Sequence, residues 1–321
     1  YTFGGWYSDA ELSASIGAAG ATYTPSADIT LYAKWTAHTY AIHFNGNSNT
    51  GGAMDDQAFT YDQAQKLTAN AFTRAYTVTF DYNEATGGND EATATATATF
   101  NGWATTADGE VAYSDQQSVS NLTATNDSTL TFFANWTKNS ITLPTPTRTG
   151  YTFGGWYSDA ELSASIGAAG AAYTPSADIT LYAKWTAHTY AVHFNGNSNT
   201  GGAMDDQAFT YDQAQKLTAN AFTRAYTVTF DYNEATGGND EATATATATF
   251  NGWATTADGE VAYSDQQSVS NLTATNDSTL TFFANWTKNS ITLPTPTRTG
   301  YTFGGWYSDA ELSASIGAAG A

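Results

Sequence analysis

The chain has 321 residues, of which 41% are hydrophobic and only 12% charged, and none is cysteine. Thirty acidic residues against ten basic ones leave a net charge of -20, which argues against electrostatic binding of nucleic acid or of an anionic membrane face. Without cysteine there is no disulfide framework, no thiolate metal site and no cysteine nucleophile, so packing alone must hold the fold. No run of about 18 apolar residues occurs and Tyr1 is not followed by a basic, apolar leader, so membrane insertion is not expected and the chain reads as a mature interior segment.

The first stretch, Tyr1 to Trp6 with Leu31 to Thr36, returns as Tyr151 to Trp156 with Leu181 to Thr186, and begins again at Tyr301 to Trp306. A diverged relative lies at Thr99 to Trp103 with Phe132 to Thr137. In each, an alternating aromatic step predicts a strand, a glycine allows a tight turn and a tryptophan supplies one large anchor. Residues 1–171 and 151–321 differ only at Thr22 against Ala172 and at Ile42 against Val192, an offset of 150 residues. Copies this alike share one task. Neither end coincides with a repeat boundary, which reads as a window cut from a longer array.

A second duplication aligns Tyr40 to Phe44 and Asn47 to Gly52 with Tyr76 to Phe80 and Asn83 to Gly88. Each is an alternating strand with one apolar face (Tyr40, Ile42 and Phe44 in the first) followed by a Gly-Gly turn. The period thus orders as a closing half at 1–36, an opening half at 40–75, a contiguous opening-plus-closing unit at 76–137 and a closing half at 141–186. The next period gives 190–225, 226–287 and 291–321. Either 40–75 and 141–186 form one discontinuous domain around 76–137, or each closing half stands as its own minidomain. Helix signals are sparse, a turn or two after Ser8 and at Tyr61 to Lys66. The fold class expected is all-β to β-rich α+β, a tandem array of small domains forming an elongated rod.

The pattern Val78 to Gly88, Leu143 to Tyr157 and Leu181 to Thr186 resembles the Listeria–Bacteroides repeat, the internalin B-repeat-like module of large bacterial surface and secreted proteins. The resemblance covers nearly the whole chain and is most specific at the Gly-Trp and Tyr-Ala-Lys-Trp ends. It implies a β-grasp-like fold, a spacer or adhesive role on exported proteins, and no enzymatic activity.

Candidate sites are few. His38, His43, His188 and His193 lack any metal-protease or catalytic spacing and read as structural. No Gly-x-Ser-x-Gly elbow, P-loop or dinucleotide fingerprint occurs, so no catalytic residue and no cofactor is expected. Asp55, Asp56, Asp90 and Glu91 sit in oxygen-rich turns that suit Ca²⁺, but without an EF-hand spacing they read first as ordinary turn formers. Ala92 to Thr99 alternates Ala and Thr, placing Thr93, Thr95, Thr97 and Thr99 on one face as a contact ladder or chain-pairing edge. Trp103, Trp136, Trp156 and Trp185 are expected as core anchors. Lys34 and Lys138 read as solvated, and the sequons at Asn121, Asn126 and Asn135 carry little weight. The function expected is a stalk, spacer or fibre segment of a bacterial extracellular or cell-surface protein, with neighbouring repeats or other chains as partners. The alternative is an adhesin recognising glycan or a cell surface by avidity.

Overall fold

A computed structural model describes residues 1–83, 91–233, 241–318 and 320, and of Glu91 and Glu241 the backbone alone. The protein is all-β. Every helix or strand assigned among the described residues is a strand. The first three, β1 (Thr2–Tyr7), β2 (Ser15–Gly17) and β3 (Tyr32–Thr36), make a small sheet in the order β2-β1-β3. Next come β4 (Thr39–Asn45), β5 (Gln57–Thr60), β6 (Gln65–Lys66), β7 (Ala75–Asp81), β8 (Glu91–Ala104), β9 (Ser118–Val119) and β10 (Ser128–Lys138). They lead into β11 (Ile141–Thr142), β12 (Tyr151–Tyr157), β13 (Ser165–Gly167), β14 (Ala172–Tyr173) and β15 (Ile179–Ala187). One eight-stranded sheet runs β13-β12-β15-β7-β8-β10-β4-β5. The second period repeats the elements as β16 (Thr189–Asn195), β17 (Gln207–Thr210), β18 (Gln215–Lys216), β19 (Ala225–Asp231), β20 (Glu241–Ala254), β21 (Ser268–Val269) and β22 (Ser278–Lys288). Its main sheet runs β17-β16-β22-β20-β19, and the chain closes with the pair β23 (Trp306–Tyr307) and β24 (Ser315–Gly317).

The strands follow the alternation. On β4, Tyr40, Ile42 and Phe44 are buried while His43 is exposed, the period-two pattern of a strand with one face on the core. On β8 the Ala side chains point inward and the Thr side chains outward. Neither helical turn forms. The Asp9 carboxylate accepts the N–H groups of Ser13 (2.9 Å) and Ala14 (2.7 Å), and Leu12 at φ 55 leaves the helical region, so the loop is closed by its own side chain. Asp62 at φ 63 breaks the second candidate, and Gln65–Lys66 pairs with β9 instead.

The pairing of opening with closing halves departs from the grouping the sequence suggests. β4 runs parallel to β10, setting Ile42 opposite Leu130 and Phe44 opposite Phe132. β7 runs parallel to β15, setting Val78 opposite Ile179 and Phe80 opposite Leu181. The half at 40–75 therefore closes with 99–137, and the half at 76–98 closes with 141–186. Within 76–137, β7 and β10 both flank β8, and among the described residues they do not pair with each other. Chain connectivity accounts for this: β8 follows β7 directly and pairs with it antiparallel, so β7 takes its parallel neighbour from later in the chain. β8 serves both, its first half on β7 and its second half on β10.

By contact the chain divides into two compact units, Tyr1–Pro146 with Gly154–Lys184, and Thr147–Phe153 with Trp185–Ala321. In the first, Tyr40, Ile42, Phe44, Phe59, Trp103 and Phe132 belong to one cluster. Trp103 is 0% exposed, and Gly102 before it sits at φ +144, where a Cβ would meet the Tyr113 carbonyl. Around β7, Val78, Phe80, Leu181 and Ala183 are buried with Trp156, whose ring packs on Phe80 at 5.0 Å between centroids. The Trp156 indole N–H donates to the Pro144 carbonyl at 3.0 Å, whereas the buried Trp103 N–H has no hydrogen-bond partner among the described residues.

Trp156→Ala is expected to cost the unit that contains it about 3–5 kcal/mol, because a full aromatic side chain leaves a cavity among residues held by backbone pairing. Denaturant unfolding of the full chain measures it. An unchanged first transition would contradict this account of the core.

Candidate functional site

Two sets of polar contacts do the positioning. The first lies just past the opening strand, where Asn47 takes φ 49, a left-handed conformation that asparagine tolerates. Its N–H donates to Asn45 Oδ1 at 2.8 Å, which aims the side chain across the domain. The carboxamide then donates to the carbonyls of Ala107 (2.7 Å) and Ala134 (2.9 Å), both in the closing half. Asn83 repeats the device, bonded to Asp81 and donating to the Ala183 carbonyl at 2.7 Å. In the first unit β4 and β7 are thus each tied by one asparagine to a closing strand.

The second set is a clasp within the second unit, built on Gly150, Tyr151 and Thr152. The His188 N–H donates to the Gly150 carbonyl at 2.8 Å, and a Cβ on Gly150 would overlap the Tyr211 ring. Tyr151 meets Tyr211 edge to face at 5.9 Å and donates its hydroxyl to Asp212 Oδ2 at 2.8 Å. Asp212 is also held by Asn271 in a two-way pair: Asn271 Nδ2 donates to Oδ1 at 2.7 Å, and the Asp212 N–H donates to Asn271 Oδ1 at 2.6 Å. His188 Nδ1 lies 2.7 Å from the Ala274 carbonyl, which requires a proton on Nδ1. In the neutral ring, Nε2 then accepts the Thr152 hydroxyl at 3.0 Å. In the first unit Tyr1, Thr2, His38, Asp62 and Asn121 make the same contacts.

The clasp perturbs its own titration. The bonds from Asn271 and then Tyr151 hold Asp212 below the usual carboxylate range, and burial together with the bond to Asp212 pushes the Tyr151 hydroxyl up. In the first unit the bonds from Tyr1 and then Asn121 lower Asp62, and the bond to Asp62 is the main cause raising Tyr1.

The other sequence candidates fall elsewhere. Asp55 is exposed, and Asp56 Oδ1 lies 2.7 Å from His43 Nδ1 as an open surface pair. Asp90 lies outside the described residues, and of Glu91 only the backbone is described. Among the described residues no group of three His, Asp or Glu is placed to hold a metal ion. Thr93, Thr95, Thr97 and Thr99 are exposed on one face, with Thr93 and Thr95 opposite Thr79 and Thr77 of β7. Asn139 Nδ2 reaches Thr97 and Thr99 at 3.3 and 3.1 Å. Trp103 and Trp156 are fully buried, whereas Trp136 and Trp185 are half-buried. Lys34 lies over the Tyr7 ring at 5.1 Å, as Lys184 does over Tyr157, and Lys138 is exposed. The sequon amides are all engaged: Asn121 with Asp62, Asn126 with Asp127, and Asn135 with the Gly109 carbonyl. The sequence reading missed the clasp, whose members are spread over more than a hundred residues. The one local sign was a tyrosine following a glycine at a repeat start.

The family described as the Listeria-Bacteroides repeat domain matches residues 1–34, 126–184 and 275–318. A protein of Evansella cellulosilytica provisionally named a membrane protein is 26% identical over 303 residues, covering 91% of this chain and 39% of that protein. Internalin H of Listeria monocytogenes is 34% identical over 93 residues, 29% of this chain and 16% of that protein. The chain thus spans well under half the length of these relatives. No solved structure matches it. Among the described residues no helix is long and apolar enough to cross a membrane.

The clasp has a pH window set by its two shifted groups. Asp212, lowered, contributes above the ordinary aspartate pKa of about 4, and the contribution is lost as pH falls through its depressed value. Tyr151, raised, contributes below the ordinary tyrosine pKa of about 10, and this is lost as pH rises through its elevated value. The Tyr151 ring resonance is expected to titrate later than free tyrosine. Tyr151→Phe should remove the part of the alkaline limb that the second unit's clasp contributes and leave the acid one, since Asn271 still holds Asp212. A Tyr151 resonance titrating at or below about 10 would contradict the contact.

Proposed function

We propose that the chain, whose residues 1–34, 126–184 and 275–318 match the Listeria-Bacteroides repeat domain, is a non-catalytic spacer segment of a bacterial surface protein. The observation that carries the reading is the near-identity of the two periods in both sequence and contacts. The clasp at Tyr1 and Asp62 is rebuilt at Tyr151 and Asp212, and the core around Trp103 is rebuilt around Trp253. Units that repeat the same internal contacts with the same side chains supply length and copy number rather than different chemistries. The names of the relatives, a membrane protein and an internalin, support placement at the cell surface. The net charge of -20 supports a solvated, extended role.

One observation favours a second, compatible reading as an adhesin. The exposed threonines of β8 and Thr77 of β7 form a hydroxyl-bearing face that recurs in each period, an arrangement suited to weak, multivalent contact with glycan. Glycan-array binding lost on Thr95→Lys with Thr97→Lys would support this. Lysine there leaves the Ala-lined inner face intact.

Small-angle scattering tests the spacer reading on the 321-residue chain and on chains lengthened by one and two further 150-residue periods. A spacer predicts a radius of gyration growing nearly in proportion to length. Growth as about the 0.38 power of residue number, the law of a compact globule, would contradict it.

A further inference from the structure

Cations are scarce in this chain, ten against thirty carboxylates, yet two of them converge on one row of the sheet. Arg74 precedes Ala75 of β7, which lies opposite Thr97 of β8, and the Arg74 carbonyl accepts the Ala98 N–H at 2.7 Å. On the other side of β8, Lys138 of β10 lies opposite Ala98. Arg74, Ala98 and Lys138 therefore form one row across three strands, on the face that also carries Tyr76 and Trp136. Their outer backbones are two strand spacings apart, about 10 Å, and in that row only the Ala98 methyl stands between the two long side chains.

Beside this row lies a cavity of about 350 Å³ lined by Asn47, Arg74, Asp108, Asn135, Trp136 and Lys138 among others. Arg74 uses little of its capacity. One terminal N–H donates to the Asn47 carbonyl at 3.3 Å, while the buried Nε–H has no hydrogen-bond partner among the described residues. A guanidinium offers five donors in a fixed fork that matches a carboxylate. Neither Arg74 nor Lys138 makes an ion pair among the described residues. The walls are set in advance: Asn47 donates to the Ala107 and Ala134 carbonyls, Asn135 to that of Gly109, and the Trp136 indole to that of Gly46.

The second unit rebuilds the row with Arg224, Ala248 and Lys288. The Arg224 Nε–H is again buried without a partner among the described residues, and Arg224 and Lys288 lie over the Tyr226 ring at 5.4 and 5.7 Å. After Trp185 the other type of closing half reads Thr186-Ala187, where this one reads Thr137-Lys138 after Trp136. The two-cation row thus occurs once in each period.

We propose that this pocket binds a carboxylated sugar, one uronic acid unit of an acidic polysaccharide. The sugar carboxylate takes the Arg74 Nε–H and the Lys138 ammonium, the half-buried Trp136 ring offers a face to the sugar ring, and Asp108 accepts from sugar hydroxyls. Asp108 also fixes the charge that fits. Two cations and one carboxylate leave a single positive charge, which suits a carboxylate better than a phosphate dianion. The net charge of -20 opposes a densely charged polymer in the same way. The volume is at the small end of ligand pockets, which run from about 300 to 1,000 Å³, and suits one sugar unit better than a peptide segment. The row lies on the inward face of β8, opposite its threonines, so this site is distinct from the hydroxyl-bearing face and goes beyond the spacer reading.

Titration of the 321-residue chain with sodium glucuronate or galacturonate, followed by NMR at the arginine Nε–H and tryptophan indole signals, tests it. Arg74, Arg224, Trp136 and Trp286 are expected to shift together and saturably. Glucose and sodium acetate, each carrying half of the ligand's chemistry, are expected to bind at least tenfold more weakly. Lys138→Gln with Lys288→Gln, both at exposed positions, should leave the melting temperature unchanged and weaken uronate binding about tenfold, the loss of one charge-assisted hydrogen bond at each site. No saturable shift with either uronate overturns the proposal, as does unweakened binding by the double lysine variant. Acetate binding as tightly as the uronates would make this a carboxylate pocket without a sugar, and a glutamate pentapeptide binding more tightly than they do would assign it to acidic peptides. Either result contradicts the proposal. None of them bears on the scattering law, so the spacer reading stands or falls separately.

Discussion

The constraint on which the structure depends is parallel pairing between an opening strand and a closing strand from far along the chain. A hairpin can be closed by two residues, but a parallel pair needs a crossover, and here the crossover contains another repeat's strand. The path from β4 to β10 runs through β7 and β8, and the path from β7 to β15 runs through β10. Each repeat is threaded into its neighbour. β8 is the physical link, since its fourteen residues serve one domain with their first half and the next with their second.

With no cysteine to staple it, the pairing is held by aromatic packing and by side-chain amides. Apolar burial at about 25 cal/mol per Å² supplies the driving force, but burial alone does not choose between two opening strands with the same apolar face. The asparagines after β4 and β7 add direction, because a carboxamide donor reaches a closing-strand carbonyl only in the correct register. The clasp adds a third tie of the same kind between Tyr151 and Asp212.

Much of the local structure was legible. Alternation at Tyr40, Ile42 and Phe44, the inward Ala and outward Thr of β8, and the buried Trp103 and Trp156 all follow from side-chain period and size. Trp136 and Trp185 share the tryptophan signal but sit near strand ends, where only part of each ring is covered. Partner choice was not legible, because β4 and β7 present the same face and periodicity carries no information on which distant strand completes it. The loop after Ser8 also read wrongly as a helical turn. Ser8 ahead of Asp-Ala-Glu-Leu is a fair helix start, but the Asp9 carboxylate takes the N–H groups of Ser13 and Ala14 and closes a turn instead. The clasp was invisible because Tyr151, His188, Asp212 and Asn271 meet only once the strands are in register.

The absence of native cysteine makes the interleaved pairing directly testable by a designed disulfide. Thr79 lies opposite Thr180 across β7 and β15, and His43 is the residue of β4 equivalent to Thr79. Oxidation of a chain carrying Thr79→Cys with Thr180→Cys is predicted to give the intramolecular bond under native conditions. The pair His43→Cys with Thr180→Cys, which a nested arrangement of 40–75 with 141–186 would bring together, is predicted to stay reduced. Bond formation in the second pair and not in the first would contradict the interleaved fold.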